Sequence, residues 1–299
     1  GDLTGGAFDS ALITVAAGVD NVVGNAFTTS GNLVVTADQD IVGNAVDAGG
    51  LVTLTATQDA TGNIVDAVGN VTIVATEDAA GNVIDTAANA AITGVNVQGG
   101  SVLAGGTADI TATTGDIDGI AVMAAGAVTA LGNQSVTNSS FTSTASTVGV
   151  TATTVDVTNT DVVANLGATV LANGDVIGSS VVSETAAAGI TATTGSITAT
   201  DVNAATTATL LANVDIVGGD VVSGTAASLT ATTGEINGTT VQTDTTAALT
   251  AALDITGVSV DAATSITVTA DGDLTGGAFD SALVTVAAGV DNVVGNAFT

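Results

Sequence analysis

The chain repeats itself at two lengths, and this repetition limits the folds open to it more than any other feature. Residues 1–28 read GDLTGGAFDSALITVAAGVDNVVGNAFT and return as residues 272–299 with one change, Ile13 to Val284. The two copies start 272 − 1 = 271 residues apart. We therefore expect residues 1–271 to be one long tandem repeat and residues 272–299 to be the start of the next, within a longer array. The backbones of the two copies should superpose after a shift along the solenoid axis. Phe8 and Phe279 should then point inward at matching levels, and so should Phe27 and Phe298.

A shorter period of about 19 residues runs inside the long one. Its marker is an acid followed by an apolar residue, with Gly three places after the acid in most periods. From Asp2 to Asp273 the chain makes 14 such steps, so the long period holds a whole number of short ones, as a continuous solenoid requires. The marker acids are Asp2, Asp20, Asp40, Asp59, Asp78, Asp116, Asp156, Asp175, Asp215, Glu235, Asp254, Asp273 and Asp291. Gln98, Gln134 and Ser196 take the place of the acid in the three remaining periods.

Apolar and Thr residues alternate within each period, as in Ile190 and Ala192 against Thr191 and Thr193. A two-residue alternation is typical of a strand with one buried face, and two or three short strands fit in each period. Pro is absent, and Gly at the corners lets the chain turn without interrupting a ladder of strands. The sequence therefore predicts an all-β fold, a parallel β-helix of about 15 coils of ~19 residues, continuous as one domain over residues 1–299.

Three phrases resemble the coils of a known family. They are DITATTGDIDG at 109–119, GITATTGSITA at 189–199 and SLTATTGEING at 228–238. Such phrases are similar to the repeats of filamentous-haemagglutinin-type adhesins and other large bacterial surface exoproteins. The resemblance extends over most of the chain, and it lies in the style of the repeats. It implies a right-handed β-helical shaft that is secreted across the outer membrane and displayed outside the cell.

The composition excludes several functions. The chain has 29 acids, a net charge of −29, and no Lys, Arg, His or Cys. Nucleic-acid binding is excluded because it depends on Lys and Arg at the phosphates. We expect no enzyme, because nucleophilic catalysis has no base beyond carboxylates, and a carboxylate-pair glycosidase would need aromatic and basic residues around its cleft. No leader and no apolar run long enough to cross a bilayer are present, so we expect targeting signals to lie outside this segment or to have been removed.

The periodic acids have two interpretations. Asp in a turn usually hydrogen-bonds its own backbone and faces water. Alternatively, calcium bridges carboxylates of successive coils, since stacked acids repel and no basic side chain can neutralise them. The pairs Asp38 with Asp40, Glu77 with Asp78, and Asp116 with Asp118 are the best calcium candidates. The full set of candidate metal ligands is Asp38, Asp40, Asp59, Glu77, Asp78, Asp116, Asp118, Asp175, Asp215, Glu235, Asp254 and Asp273.

Threonine offers a further alternative. Pairs of Thr two residues apart could stand on one flat face, as on ice-binding β-solenoids. The row of Thr pairs is interrupted by TVLAN at 169–173 and TLLAN at 209–213. The interruption favours the simpler interpretation, in which Thr faces outward because it has a high strand propensity. The pairs are Thr111 and Thr113, Thr151 and Thr153, Thr191 and Thr193, Thr230 and Thr232, and Thr267 and Thr269.

These observations predict a structural fibre or shaft of the cell surface or biofilm matrix, with itself as partner by end-to-end continuation or stacking, and divalent cations as ligands. Absence of Cys and of tryptic sites suits an extracellular location. The alternative is a repetitive calcium-binding adhesin that touches its target directly, and an ice-binding or S-layer-type protein is less favoured. The shaft is preferred because the aromatic and Arg anchors of binding surfaces are scarce or missing.

Overall fold

The computed structural model describes residues 1–15, 18, 20–289 and 292–299, with the side chain of Ala288 left aside. The marker position Asp291 lies outside the described residues. The chain divides into two compact units, Gly1–Thr147 and Val148–Thr299, which are described separately. The continuity of all 299 residues in one solenoid stays a prediction.

Each coil carries three strands joined by short turns. Sheet I is built from two-residue strands, sheet II mostly from four-residue strands and sheet III mostly from strands of five or six residues. Within each sheet of a unit, every strand pairs in parallel with the equivalent strand of the next coil of that unit. The third strand after any strand is therefore its neighbour in space, which is the connectivity of a β-solenoid.

In unit 1, sheet I contains β1 Leu3–Thr4, β4 Val22–Val23, β7 Ile41–Val42, β10 Ala60–Thr61, β13 Ala79–Ala80, β16 Val97–Gln98, β19 Ile117–Asp118 and β22 Val136–Thr137. Sheet II contains β2 Ala7–Ser10, β5 Ala26–Thr29, β8 Ala45–Ala48, β11 Ile64–Ala67, β14 Val83–Thr86, β17 Ser101–Ala104, β20 Ala121–Ala124 and β23 Ser140–Ser143. Sheet III contains β3 Ile13–Val15, β6 Leu33–Ala37, β9 Val52–Ala56, β12 Val71–Ala75, β15 Ala90–Gly94, β18 Ala108–Ala112 and β21 Val128–Gly132.

In unit 2, sheet III contains β24 Val148–Ala152, β27 Ala168–Ala172, β30 Ala188–Ala192, β33 Thr207–Ala212, β36 Ala226–Ala231, β39 Thr246–Ala251, β42 Ser265–Ala270 and β45 Val284–Ala288. Sheet I contains β25 Val157–Thr158, β28 Val176–Ile177, β31 Ile197–Thr198, β34 Ile216–Val217, β37 Ile236–Asn237, β40 Ile255–Thr256, β43 Leu274–Thr275 and β46 Val293–Val294. Sheet II contains β26 Asp161–Ala164, β29 Ser180–Ser183, β32 Asp201–Ala204, β35 Asp220–Ser223, β38 Thr240–Thr243, β41 Ser259–Ala262, β44 Ala278–Asp280 and β47 Ala297–Phe298.

The predicted fold class is confirmed: the two units together contain about 15 coils of roughly 19 residues, and no helix occurs among the described residues. The right-handed sense of the coils stays a prediction.

A typical coil sends six side chains inward, one from sheet I, two from sheet II and three from sheet III. Equivalent positions stack on one another, so Leu54, Ile73 and Ile92 form one column of fully buried side chains. The core is therefore a set of apolar columns about one residue wide, and each coil buries its apolar face only against its neighbours.

The turn after sheet I requires a left-handed backbone. Gly occupies this position in most coils, for example Gly62 with a φ of 63°. Three coils place other residues there, namely Asn138, Asn159 and Ala199, with φ angles of 50°, 48° and 47°. Asn tolerates this conformation better than most residues, whereas Ala has no side-chain group to compensate the contact of its Cβ with the backbone.

The repeated 28-residue segment forms equivalent strands at its two positions. The rings of Phe8 and Phe27 stack with their centroids 5.2 Å apart, and those of Phe279 and Phe298 stack at 5.4 Å. Phe27 and Phe279 are buried as expected. Phe298 stacks in register on the buried ring of Phe279 and therefore points the same way, as expected, with 46% of its own surface exposed.

We expect Ala199→Gly to stabilise the protein by about 0.5–1 kcal/mol, because relief of the left-handed Ala outweighs the added entropy of the unfolded chain. The converse change, Gly62→Ala, should destabilise it by roughly 1–2 kcal/mol. An added Cβ at Gly62 meets no atom within 4 Å, so that variant measures backbone strain alone. Chemical denaturation of both variants is the measurement, and opposite signs to those given would contradict the role of this turn.

Candidate functional site

The periodic acids lie in the turn that leads from sheet III to sheet I, and their carboxylates form a row along each unit. We call this row, with the Asn and Ser residues that share it, the acid ladder. In unit 1 it contains Asp2, Asn21, Asp40, Asp59, Asp78, Asn96, Asp116 and Ser135. In unit 2 it contains Asp156, Asp175, Ser196, Asp215, Glu235, Asp254, Asp273 and Asn292.

One hydrogen bond defines the ladder. The side-chain oxygen of one coil accepts the backbone N–H of the ladder residue in the next coil. The backbone nitrogen of Asp78 lies 2.9 Å from Oδ1 of Asp59, and the nitrogen of Asp59 lies 3.1 Å from Oδ1 of Asp40. In unit 2 the nitrogen of Asp273 lies 2.7 Å from Oδ1 of Asp254. The acids therefore bond the backbone of the neighbouring coil, whereas the sequence suggested a bond to their own backbone; the calcium interpretation stays a prediction.

The predicted frame was wrong at three described positions. Asn21, Asn96 and Ser135 occupy the ladder, where the acid count placed Asp20, Gln98 and Gln134. Asn292 completes the row in unit 2. The physical reason is that the position requires a short side chain with an acceptor oxygen, which Asn and Ser supply as well as Asp does. With these residues the spacing within each unit becomes more regular, at 18 to 21 residues.

Most of the predicted site residues belong to the ladder. Those whose Oδ1 accepts the N–H of the next coil are Asp40, Asp59, Asp78, Asp116, Asp175, Asp215, Asp254 and Asp273. Glu235 donates its N–H to Asp215, but its carboxylate, one methylene longer, receives the Nδ2 of Asn237 at 3.4 Å.

In each of the three acid pairs, one member belongs to the ladder and the other lies beside it. Asp38 and Glu77 precede ladder residues in the turn, and Oδ2 of Asp38 accepts the N–H of Gly18 at 3.1 Å. Asp118 is the outward residue of β19, and its Oδ1 accepts the hydroxyl of Thr137 at 2.6 Å and Nδ2 of Asn138 at 2.9 Å. Asp38 and Asp118 thus have different hydrogen-bond donors from their ladder partners Asp40 and Asp116.

The pKa of the Asp118 carboxylate is lowered by its hydrogen bonds. The hydrogen bond from Thr137, and then that from Asn138, lower the pKa of Asp118 below the ordinary value of 3.8, against a small opposing effect of burial. Both donors stabilise the charged form. Among the described residues, no three acids form a group that could hold a metal ion, and calcium binding stays a prediction.

Sequence reasoning missed a second ladder, which is buried. We call it the Asn ladder: Asn25, Asn44, Asn63 and Asn82 in unit 1, each at most 2% exposed. Oδ1 of Asn63 accepts the backbone N–H of Asn44 at 3.1 Å and its Nδ2 at 3.0 Å. Nδ2 of Asn63 donates to the carbonyl of Ile41 and to Oδ1 of Asn82, both at 3.0 Å. The buried amide of Asn63 is therefore fully satisfied.

A signal for this ladder was present in the sequence. The dipeptide Gly-Asn recurs at residues 24–25, 43–44, 62–63 and 81–82, in steps of one coil. In unit 2 several of the equivalent positions carry buried hydroxyls, such as Thr160 and Ser179, whose backbone nitrogen and Oγ lie 3.2 Å apart. Buried side chains thus bond successive coils through amides in part of unit 1 and through hydroxyls in part of unit 2.

The threonine pairs do not all stand on one face. The second Thr of most pairs, such as Thr113 and Thr193, lies in the turn after the strand. The first residues stack with interruptions, because Thr191 is paired with Leu171 on one side and Leu211 on the other.

Comparison with protein-family models, with curated protein sequences and with solved structures finds no match to the chain. The likeness to bacterial surface exoproteins therefore rests on the repeat phrases and on the solenoid fold. In the described part of the chain no helix is long and apolar enough to cross a membrane.

We expect Asn63→Ala to destabilise the protein by about 3–5 kcal/mol, because it removes the acceptor of the buried backbone N–H of Asn44 and the donor to the buried carbonyl of Ile41. Asn203→Ala, on the exposed side of β32, is the matched control and should change stability by less than ~0.5 kcal/mol. Denaturant titrations of the two variants give the free energies of unfolding that test this expectation. Equal effects of the two changes would mean that the Asn ladder adds little stability.

Asp118 should contribute to the acid stability of the protein. Since its folded pKa is lowered, its contribution is full above the unfolded pKa near 3.8 and is lost as the pH falls through the folded pKa. The difference in stability between the native protein and Asp118→Asn should therefore be constant above about pH 5 and shrink below it. Thr137→Val, which removes the larger cause, should flatten that pH dependence. A difference that grows on acidification would contradict the assignment.

Proposed function

We propose that this chain is a structural shaft, a segment of an extracellular fibre built from tandem β-solenoid repeats at the cell surface or in a biofilm matrix. The observation that carries the proposal is the uniformity of the coils. Nearly every coil uses the same three strands, the same left-handed turn and the same acid ladder. A chain in which each coil is a template for the next is suited to length rather than to one specialised site.

The charge distribution supports an external, hydrated fibre. Neighbouring ladder carboxylates about 4.8 Å apart repel by roughly 0.9 kcal/mol in water, and the chain has no basic side chain to offset this. Hydrogen bonds from the next coil stabilise each carboxylate where it stands. The repulsion that remains keeps such a rod soluble, as high net charge does generally.

The same composition supports a non-catalytic role. The chain lacks His, Lys and Cys, so catalysis would depend on carboxylates alone, and the ladder carboxylates are engaged by backbone N–H groups. The absence of Lys and Arg leaves no site for trypsin-like proteases, which suits an exposed fibre.

Rod length tests the proposal. We expect chains that carry one, two and three copies of residues 1–271 to appear as rods of constant width in electron micrographs. Each added period should lengthen the rod by about 65 Å, from 14 coils at the strand spacing. A chain with the 28-residue overlap removed controls for the junction. Beaded or compact particles would overturn the proposal, because separate folded domains would then alternate with linkers.

The second candidate is an adhesin. It is favoured by a groove of about 480 Å³ along the outer side of sheet II in unit 1. Val68, Leu103 and Met123 supply exposed apolar surface there, next to the carboxylates of Asp66 and Asp85. This combination fits a basic and apolar segment of a target. As first predicted, an adhesin of this kind would also bind calcium along its acids.

Calcium separates the two candidates. We expect the midpoint of thermal unfolding to be the same in millimolar Ca²⁺ and in millimolar Mg²⁺ at equal ionic strength. Both midpoints should lie slightly above the midpoint measured in chelator. Calcium requires six to eight oxygens, whereas each ladder aspartate already commits Oδ1 to a backbone N–H. A rise of several degrees in calcium alone would support ordered ions at the acid ladder and favour the adhesin.

A further inference from the structure

The outer face of sheet III in unit 2 differs from the rest of the surface in its charge. Residues at the outward positions of its eight strands are Gly, Ala, Ser, Thr and Leu only. Fourteen acids lie in the described part of unit 2, and none of them occupies this face. The acids instead line the turns beside it, as Asp175 and Asp254 do, and the outer side of sheet II, as Asp161 and Asp201 do.

From β24 to β36 the face alternates in height from coil to coil, and from β36 to β45 its outward residues are only Ala, Ser and Thr. The outward pair is Thr169 and Leu171 in β27, and Thr209 and Leu211 in β33, and these form high rows. The rows beside them are low: Gly189 and Thr191 in β30, for example, lie between the two high rows in register. Leu171 and Leu211 are 42% and 40% exposed, although both belong to regular strands.

Glycine in these low rows has no cause inside the fold. A Cβ added at Gly189 would meet no atom within 4 Å, and one at Gly149 would meet only Oγ1 of Thr169 at 3.6 Å. Neither residue has a positive φ among the described backbone angles. Since Gly weakens a strand interior, it often marks a place where another backbone approaches closely.

We propose that this face is a self-association surface, on which a second copy of the chain packs by its own sheet III. A partner for so acidic a protein must either supply basic groups or meet it where it has no charge. The face of sheet III in unit 2 is such a neutral area, and a second copy carries the same one.

The shapes of two copies fit when their long axes run antiparallel. With a two-fold axis parallel to the strands and midway between β33 and β36, β33 faces β36 of the second copy and β27 faces β42. Leu211 then lies against Thr230 of the second copy, and Leu171 lies against its Thr269. No leucine row meets another leucine row: the leucines pack on the Ser and Thr rows β36 and β42, and the Gly rows β30 and β24 face β39 and β45, whose outward residues are Ala and Thr.

The area is sufficient for a stable pair. Eight strands at the usual spacing and five residues per strand cover about 38 Å by about 17 Å, or roughly 650 Å². Two copies would bury about 1,300 Å² in total, within the range of specific protein interfaces. The acids that flank the face repel across the rim, so association should strengthen as salt screens them.

Leu211→Asp and Val222→Asp provide a matched pair of variants. Both residues are 40% exposed, but Val222 lies on the outer side of sheet II. We expect the native chain to sediment as a dimer at micromolar concentration, more completely at 300 mM than at 20 mM NaCl. Leu211→Asp should weaken dimerisation at least tenfold, and Val222→Asp should leave it unchanged. Circular dichroism checks that both variants are folded.

Cross-linking locates the contact. Because the chain contains no Cys, a single introduced thiol reports on one position only. Thr230→Cys should give a cross-linked dimer with a short bis-maleimide reagent, and Gln242→Cys, on the exposed side of β38, should not. A native chain that stays monomeric up to about 100 μM, a dimer that survives Leu211→Asp, or equal cross-linking through both thiols would overturn the proposal. None of these outcomes depends on the rod length that tests the shaft.

Discussion

The hydrogen bond between equivalent backbone groups of successive coils is the interaction on which the rest of the structure depends. It fixes the register of three parallel sheets at once, so every residue stands on its counterpart one coil away. A slip of one residue would exchange the inward and outward side chains of a strand, and Ile73 would face water while Thr72 entered the core. The columns of the core and both polar ladders follow from this one register.

The two ladders solve the problem that parallel stacking creates at the turns. Backbone N–H groups there point along the solenoid, and side chains accept them. In the acid ladder the oxygen of one coil accepts from the following coil, as Asp59 does from Asp78. In the Asn ladder the oxygen accepts from the preceding coil, as Asn63 does from Asn44. The opposite directions tie each coil to both neighbours, and the outer ladder can be charged because it lies near water.

The faces that remain outside the ladders are not equivalent, and this bears on function. Sheet II of unit 1 presents carboxylates in register, with Asp47, Asp66 and Asp85 on consecutive strands, next to exposed Leu103 and Met123. Sheet III of unit 2 presents a neutral, corrugated surface. In the proposed fibre, unit 2 would pair along this neutral face, and repulsion between the carboxylates on the other surfaces would oppose contacts there.

The sequence by itself determined the period, the strand alternation and the left-handed turn at Gly62 and its equivalents, because these depend on local geometry that each coil repeats. It did not determine which polar residues form the ladders. Asp20 and Asn21 are adjacent, and only the stacking of Leu3 on Val22 decides that Asn21 bonds Asp2. The buried role of Asn63 and the neutral face of sheet III in unit 2 were likewise decided by the tertiary structure. The partner of a side chain in a solenoid lies one coil away, and the two residues come into contact only when the coils stack.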